Sequence, residues 1–439
     1  MTNSISRRGF AAAAAASTLA GASKSNGKLA LLGGEPVRRE PFPSWPKIGP
    51  EDEKAWMESL RGGKWFRGSG KSVEQFEQKY AELLGTKYCL ATANGTSALY
   101  TALNALGVGP GDEVIVPPYT FVATINVVML NYALPIFVDT DIDSFQIDHT
   151  KIEAAITDRT RTILPVHIGG SAANLDAIVP LGQRRKIPIL EDACQAVLGE
   201  WRGRKLGSLG DAGCFSFQAS KNLNSGEGGA LVTSSEELLD KAYGFHNNGR
   251  ARRGASGDFS YRMGGANLRM TEFQAALLMS QMTRLEEQSK RRDDNAAYLS
   301  GLLKEIPGIT PSREYPGATR SGHHIYMFRY RKEAFAGVPR ATFLKALAAE
   351  GVRGSGGYTP LNKQPFIFDT IHSKAYRALY PAKLLEQWEE RTRCPVNDRL
   401  CEEAAWFGQT TLLATRRDMD QIAEAIRKIH AQAGELRKA

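Results

Sequence analysis

Between residues 112 and 233 the chain alternates short apolar runs with stretches of helical periodicity, and that alternation leaves few folds open. Runs at 112–117, 134–139, 162–166, 187–192, 215–217 and 229–233 have the length and the β-branched or aromatic content of buried strands. Between several of them lie segments such as 97–106 and 121–131, whose apolar residues recur at helical spacing. Strand and helix in alternation predict an α/β fold with a mainly parallel sheet covered on both faces. Ligands of such sheets bind beyond the carboxyl ends of the strands, where Tyr119, Phe121 and Asp192 fall.

From about residue 291 the texture changes to charged helices and isolated strands such as 324–330, which predicts a smaller carboxyl-terminal α+β domain. The 439 residues suffice for two domains with a core each. The expected division is a leader and linker at 1–26, a large domain at 27–290 and a small domain at 291–439. In the leader, Ser6-Arg7-Arg8-Gly9-Phe10 precedes alanines 11–16 and the small-residue site Ala20-Gly21-Ala22. These features read as a twin-arginine export signal, with an alanine-rich tail on a cytoplasmic protein as the plainer alternative. No later stretch reaches the ~18 uninterrupted apolar residues of a membrane span.

The formal charge of +9 is spread along the chain without a Lys/Arg-rich block or interleaved aromatics, which argues for small anionic ligands and against nucleic acid. The five cysteines, at 89, 194, 214, 394 and 401, form no CxxC pair and have no histidine at zinc spacing. Neither a metal site nor a disulfide framework is expected.

One lysine carries the chemistry. Lys221 sits in Ser216-Phe217-Gln218-Ala219-Ser220-Lys221-Asn222, upstream of the glycine-rich Gly226-Glu227-Gly228-Gly229 and 221 − 192 = 29 residues after Asp192. A lysine that must attack an aldehyde cofactor needs a phosphate anchor and a carboxylate for the cofactor's ring nitrogen. Asn94-Gly95-Thr96-Ser97 supplies a helix start able to hold phosphate, or a plain helix cap. Asp192 ends a strand, where a carboxylate can pair with a pyridinium or cap a turn. Gln195 can reach the ring's hydroxyl side or face solvent, Phe121 can stack on the ring or join the core, and Ser216 lies five residues before the lysine. Together these roles point to pyridoxal 5'-phosphate. A competing phosphate motif fails: Gly68-Ser69-Gly70-Lys71-Ser72 resembles the end of a P-loop, but the leading glycine would have to be residue 65, which is Trp65.

From Gly27 onward the chain resembles the DegT/StrS-type sugar aminotransferases, which are fold type I pyridoxal-phosphate enzymes. Gly33-Gly34-Glu35-Pro36, Gly63-Lys64-Trp65-Phe66-Arg67, Asn94-Gly95-Thr96-Ser97, Pro117-Pro118-Tyr119-Thr120-Phe121, Glu191-Asp192-Ala193, Ser216 through Lys221 and Gly226 through Gly229 carry the likeness. The resemblance implies that Lys221 forms the Schiff base and moves the proton, while Asp192 holds the pyridine nitrogen. It further implies that Gln195 contacts the ring oxygen, Phe121 stacks on the ring, and Gly95, Thr96, Ser97 and Ser216 hold the phosphate. Asn267, in Gly264-Gly265-Ala266-Asn267-Leu268-Arg269-Met270, matches a residue that reaches the neighbouring subunit's cofactor, which implies a homodimer with shared sites. Within the family the likeness is to cyclitol aminotransferases and 3-amino-5-hydroxybenzoate synthases, on Ser216-Phe217-Gln218, 323–329, 393–397 and Trp406. Gln195 stands where those synthases commonly have histidine, a departure that weighs against aromatising chemistry.

The implied reaction moves an amino group from glutamate or glutamine to a keto-sugar or keto-cyclitol. A pyridoxal-phosphate lyase or dehydratase, and a non-catalytic sensor with the same fold, are the alternatives. By the same resemblance Trp65, Arg67, His323, His324 and Tyr326 are candidates for the substrate wall, with a core or solvated role as the alternative for each.

Overall fold

The computed structural model describes residues 27–252 and 261–437. The twin-arginine leader expected at 1–26 lies outside the described residues.

Five strands, β1 (Tyr88–Thr92), β2 (Glu113–Val116), β3 (Leu134–Phe137), β4 (Thr160–Ile163) and β5 (Leu190–Asp192), join the strands Ala212–Ser216 and Gly229–Thr233 in one large sheet. β3, β2 and β4 pair in parallel, a parallel bridge from Ile163 to Ile189 links β4 to β5, and β5 pairs in parallel with Ala212–Ser216. The last two pairings, through Gly229–Thr233 to β1, are antiparallel. The sheet is thus mainly parallel, with helices on both faces.

Strand alternation sends successive side chains to two different cores. Leu90, Cys214 and Leu231 pack into one, whereas their neighbours Ala91, Phe215 and Val232 pack into the other. In the second core Phe76 and Tyr80 of a helix at 72–84 meet Phe215 and Phe217, with ring centroids 5.3–5.4 Å apart. Proline removes a ladder donor, which the edge strand β3 tolerates at Pro135 but which marks the ends of inner strands. Pro188 cannot donate, so β5 begins only at Leu190, and Pro165 closes the apolar run after β4 while its carbonyl accepts from Asp192 N–H at 2.9 Å.

A four-stranded antiparallel sheet, ordered Ile309–Pro311, Ile325–Tyr330, Ala404–Gly408, Ser355–Gly356, forms the second unit. It packs with the helices Leu285–Lys304 and Arg416–Ala431 around Phe328, Phe407, Leu299 and Ile426. The chain between them returns to the large sheet: Trp388 Nε1 donates to Pro135 O at 2.8 Å, Tyr376 OH to Ala133 O at 2.9 Å, and Arg391 pairs with Glu113 at 3.0 Å. Those contacts tie the carboxyl-terminal region to the amino-terminal ends of β2 and β3.

Candidate active site

The carboxyl ends of β1, β5 and the strand Ala212–Ser216 converge, and each contributes a group. Asp192, the last residue of β5, is 4% exposed. Thr124 Oγ1 donates to its Oδ2 at 2.8 Å, and the backbone N–H of Cys194 donates to its Oδ1 at 3.2 Å. Thr124 lies on the helix Ala123–Leu130, and its hydroxyl also meets that of Thr120 at 2.9 Å. The loop Pro117-Pro118-Tyr119-Thr120-Phe121 is thereby locked to the carboxylate through Thr120 and Thr124, and its last residue, Phe121, is 58% exposed.

The helix Gly95–Ala105 begins directly after β1, capped by Asn94, whose Oδ1 accepts from Ser97 N at 2.8 Å. The first-turn N–H groups and the positive end of the helix form a ready anion site. Gly95 makes the close approach possible: a Cβ there would lie 2.7 Å from Ser216 Cβ and 3.0 Å from Cys194 Sγ. Ser216 and Ser97 are buried beside this helix end, and Thr96 is exposed on its first turn.

Lys221 lies in a loop closed by Phe217 N–H to Gly228 O at 2.7 Å and Ala219 N–H to Gly226 O at 2.9 Å. Burial pushes its ammonium pKa below the ordinary lysine value, against the opposing pull of the Cys194 and Asp192 side chains. A desolvated amine of this kind holds its lone pair available at lower pH than a surface lysine. Gln195 is fixed on both sides, its Oε1 accepting from Gly169 N at 2.8 Å and its Nε2 donating to Tyr358 OH at 2.9 Å.

The glycine cradle at Gly95, the partly desolvated amine of Lys221 and the oriented Asp192 carboxylate fit a phosphate-bearing aldehyde with a basic ring nitrogen. Lys221, Asp192, Gln195, Gly95, Ser97 and Ser216 are brought into one neighbourhood. Asn267 stands apart, exposed on a segment whose next residue, Leu268, bonds Ala93 and His246 through the backbone at 2.7 and 3.0 Å.

The five wall candidates scatter. Arg67 pairs with Glu77 at 3.1 Å and donates to His246 Nε2 at 3.2 Å, Tyr326 OH meets Ser300 Oγ at 2.8 Å within the small-domain core, and Trp65 packs on Phe273. His323 turns to Asp293 at 3.3 Å, whereas His324 faces Lys221 closely enough for the lysine charge to depress its pKa, after burial. The P-loop lookalike is filled from within, because Glu272 accepts from Ser72 N at 2.6 Å and Val73 N at 3.3 Å at that helix start.

Sequence reasoning missed Thr124 and Tyr358. Thr120 and Thr124 are four residues apart, a helical spacing of hydroxyls that could have drawn attention. Tyr358 is 163 residues from Gln195 and left no local signal.

The chain matches the DegT/DnrJ/EryC1/StrS aminotransferase family over residues 46–427. It is 36% identical over 427 residues to an L-glutamine:2-deoxy-scyllo-inosose aminotransferase from Streptoalloteichus tenebrarius, covering 93% of this chain and 99% of the relative. An L-glutamine:scyllo-inosose aminotransferase from Streptomyces griseus is 35% identical over 415 residues, covering 91% and 97%. Among solved structures, 3-amino-5-hydroxybenzoic acid synthase superposes with a TM-score of 0.79 at 31% identity, over 90% of this chain and 100% of that one.

Proposed function

This chain belongs to the DegT/DnrJ/EryC1/StrS aminotransferase family, and from that premise we propose that it transfers the amino group of L-glutamine to a keto-cyclitol. It is an aminotransferase of fold type I, and family membership implies pyridoxal phosphate as its cofactor. The cyclitol substrate is supported by relatives named for glutamine-dependent amination of inososes.

The half-buried Lys221 amine, close enough to Asp192 for the carboxylate to act on its charge, is the observation that carries the reading. Bound pyridoxal phosphate would supply the aldehyde for the amine and an electron sink for the carbanion. Lys221 Nζ would serve as the nucleophile toward that aldehyde and as the base and acid for the proton that transamination moves. Asp192 offers a negative charge already oriented by Thr124 and the Cys194 N–H, ready to pair with a ring nitrogen. Gly95, Thr96, Ser97 and Ser216 would hold the phosphate, Gln195 would contact the ring's oxygen side, and Phe121 would cover the ring.

Two copies share the sites in this reading, with Asn267 of each reaching the other's cofactor. Its support is the exposure of Asn267 and of Ile48, Trp56 and Met57, which line a groove with Ala219, Asn224 and Gly226 of the lysine loop. The leader at 1–26 carries the folded chain out of the cytoplasm through the twin-arginine route. Immunoblotting of cell fractions for Arg7→Lys with Arg8→Lys tests the export, and an unchanged distribution counts against it.

The reaction is tested by adding L-glutamine and then scyllo-inosose to the reconstituted protein. Formation of an aminocyclitol supports transamination. Release of ammonia with elimination, as in a lyase, would overturn it.

A further inference from the structure

The carboxyl-terminal region sets one buried guanidinium behind the lysine. Arg292, on the helix Leu285–Lys304, has 0% of its surface exposed. A buried arginine normally pairs with a carboxylate, because an unpaired charge away from water is costly. Arg292 has no such partner among the described residues: its Nε and Nη2 both donate to Gln409 Oε1, at 3.0 and 2.6 Å, and its Nη1 has no hydrogen-bond partner. Neighbouring Asp293 is engaged by Arg320 at 2.9 Å and by His323 at 3.3 Å. The guanidinium also lies over the Trp45 ring at 5.4 Å. An apolar side chain would fill this space at less cost, so the charge needs a reason.

Its surroundings supply one. Gln409 N–H donates to His324 O at 3.1 Å, His324 N–H donates to Gly169 O at 2.8 Å, and Gly169 N–H donates to Gln195 Oε1 at 2.8 Å. On the lysine side, Asn222 Nδ2 donates to Gly322 O at 2.7 Å. The strap 321–324 is therefore pinned to the small domain and to the cofactor floor at once. His323 adopts a left-handed φ of 46°, a conformation that costs energy in a residue with a side chain and sends the two histidines in different directions. The charged groups set against the His324 ring are Lys221 and Arg292, and its Nδ1 has no hydrogen-bond partner.

We propose that Arg292 is a positioning residue for the amine transfer: through Gln409 it holds the backbone of His324, the residue whose ring is set against Lys221, and it places a positive charge against that ring. Burial first, and then the charges of Lys221 and Arg292, hold the imidazole pKa well below its ordinary value. The ring stays neutral at physiological pH, keeps a lone pair, and can accept a hydrogen bond near Lys221 without adding another cation to the site. Arginine suits the place because, even with burial lowering its pKa to about 9, it stays charged at physiological pH, and its fork grips one amide oxygen with two donors. The proposal rests on the reading of Lys221 as the reactive amine.

NMR of 13C-histidine-labelled protein, with and without pyridoxal phosphate, tests it, the His324 signal being assigned by its loss in His324→Gln. In the native sequence that signal does not titrate between about pH 5 and 8. In Arg292→Met its midpoint rises by about one unit or more, while Arg292→Lys leaves it low. Arg292→Gln, neutral but able to bond Gln409, serves if the methionine variant does not fold. With L-glutamine the single-turnover rate of the methionine variant falls about tenfold, and the donor concentration for half-maximal rate changes less than about twofold. An unmoved His324 signal in a folded neutral variant overturns the proposal, as does an equal shift in Arg292→Lys. If the wild type fails to react with glutamine, the functional reading fails while the His324 titration still judges Arg292.

Discussion

At the scale of single residues, the site depends on side chains held by partners that do no chemistry themselves. Thr124 illustrates this, since its hydroxyl is one of two donors that orient Asp192. Thr124→Val removes a hydrogen bond to a buried carboxylate, and about 2 kcal/mol of cofactor affinity is expected to go with it, measured as the Kd for pyridoxal phosphate. Gly95→Ala places a methyl 2.7 Å from Ser216 Cβ, so the cradle must open, and cofactor affinity is expected to drop about 100-fold with the fold intact by circular dichroism. Behind Asp192, Glu191 points to the other face of the strand, accepting from His167 Nε2 at 2.9 Å and from Gly207, Leu209 and Gly210 N–H at 2.7–2.8 Å. Burial alone would raise its pKa, but His167 and the backbone donors outweigh it and hold the carboxyl below its ordinary 4.5. A carboxyl depressed in the folded state contributes stability above about pH 4.5 that is lost as pH falls through the folded value. Glu191→Gln is expected to cost about 3 kcal/mol at pH 7 and to flatten the acid limb of a melting-temperature profile below pH 4.5.

At the scale of elements, loops are fixed by ties between distant parts of the chain. Asn222→Ala cuts the bond between the lysine loop and the strap at Gly322, and hydrogen exchange across 321–325 is expected to quicken about tenfold while the large sheet stays protected. Much of the large sheet was readable because buried parallel strands are continuous apolar runs, and the run at 229–233 coincides with the strand Gly229–Thr233. The run at 187–192 yielded only Leu190–Asp192, because periodicity does not register the donor that Pro188 lacks. The grouping of Lys221, Asp192 and Gly95 was legible from local signals, a lysine before a glycine-rich turn, a strand-end carboxylate and a glycine at a helix start. The ties from Gln195 to Tyr358, and from Arg292 to Gln409, span 163 and 117 residues, and only the folded chain reveals them.

At the scale of the whole molecule, the large sheet supplies the cofactor floor, which the strap meets at Gly169 and Asn222, while Trp388, Tyr376 and Arg391 tie the carboxyl-terminal region to the far end of the sheet, where β2 and β3 begin. The account expects a dimer in sedimentation, with Asn267→Ala weakening cofactor binding in the opposite subunit when it is mixed with Lys221→Ala chains. Its central claim is that the Lys221 amine carries the cofactor and passes an amino group through it. The most direct measurement is the visible absorbance of the pyridoxal-phosphate-loaded protein, followed as L-glutamine and then a keto-cyclitol are added. A band that bleaches with glutamine, returns with the ketone as one equivalent of aminocyclitol forms, and is missing in Lys221→Ala is the predicted result. A band that persists in Lys221→Ala, or a wild-type protein that never develops one, would contradict the account.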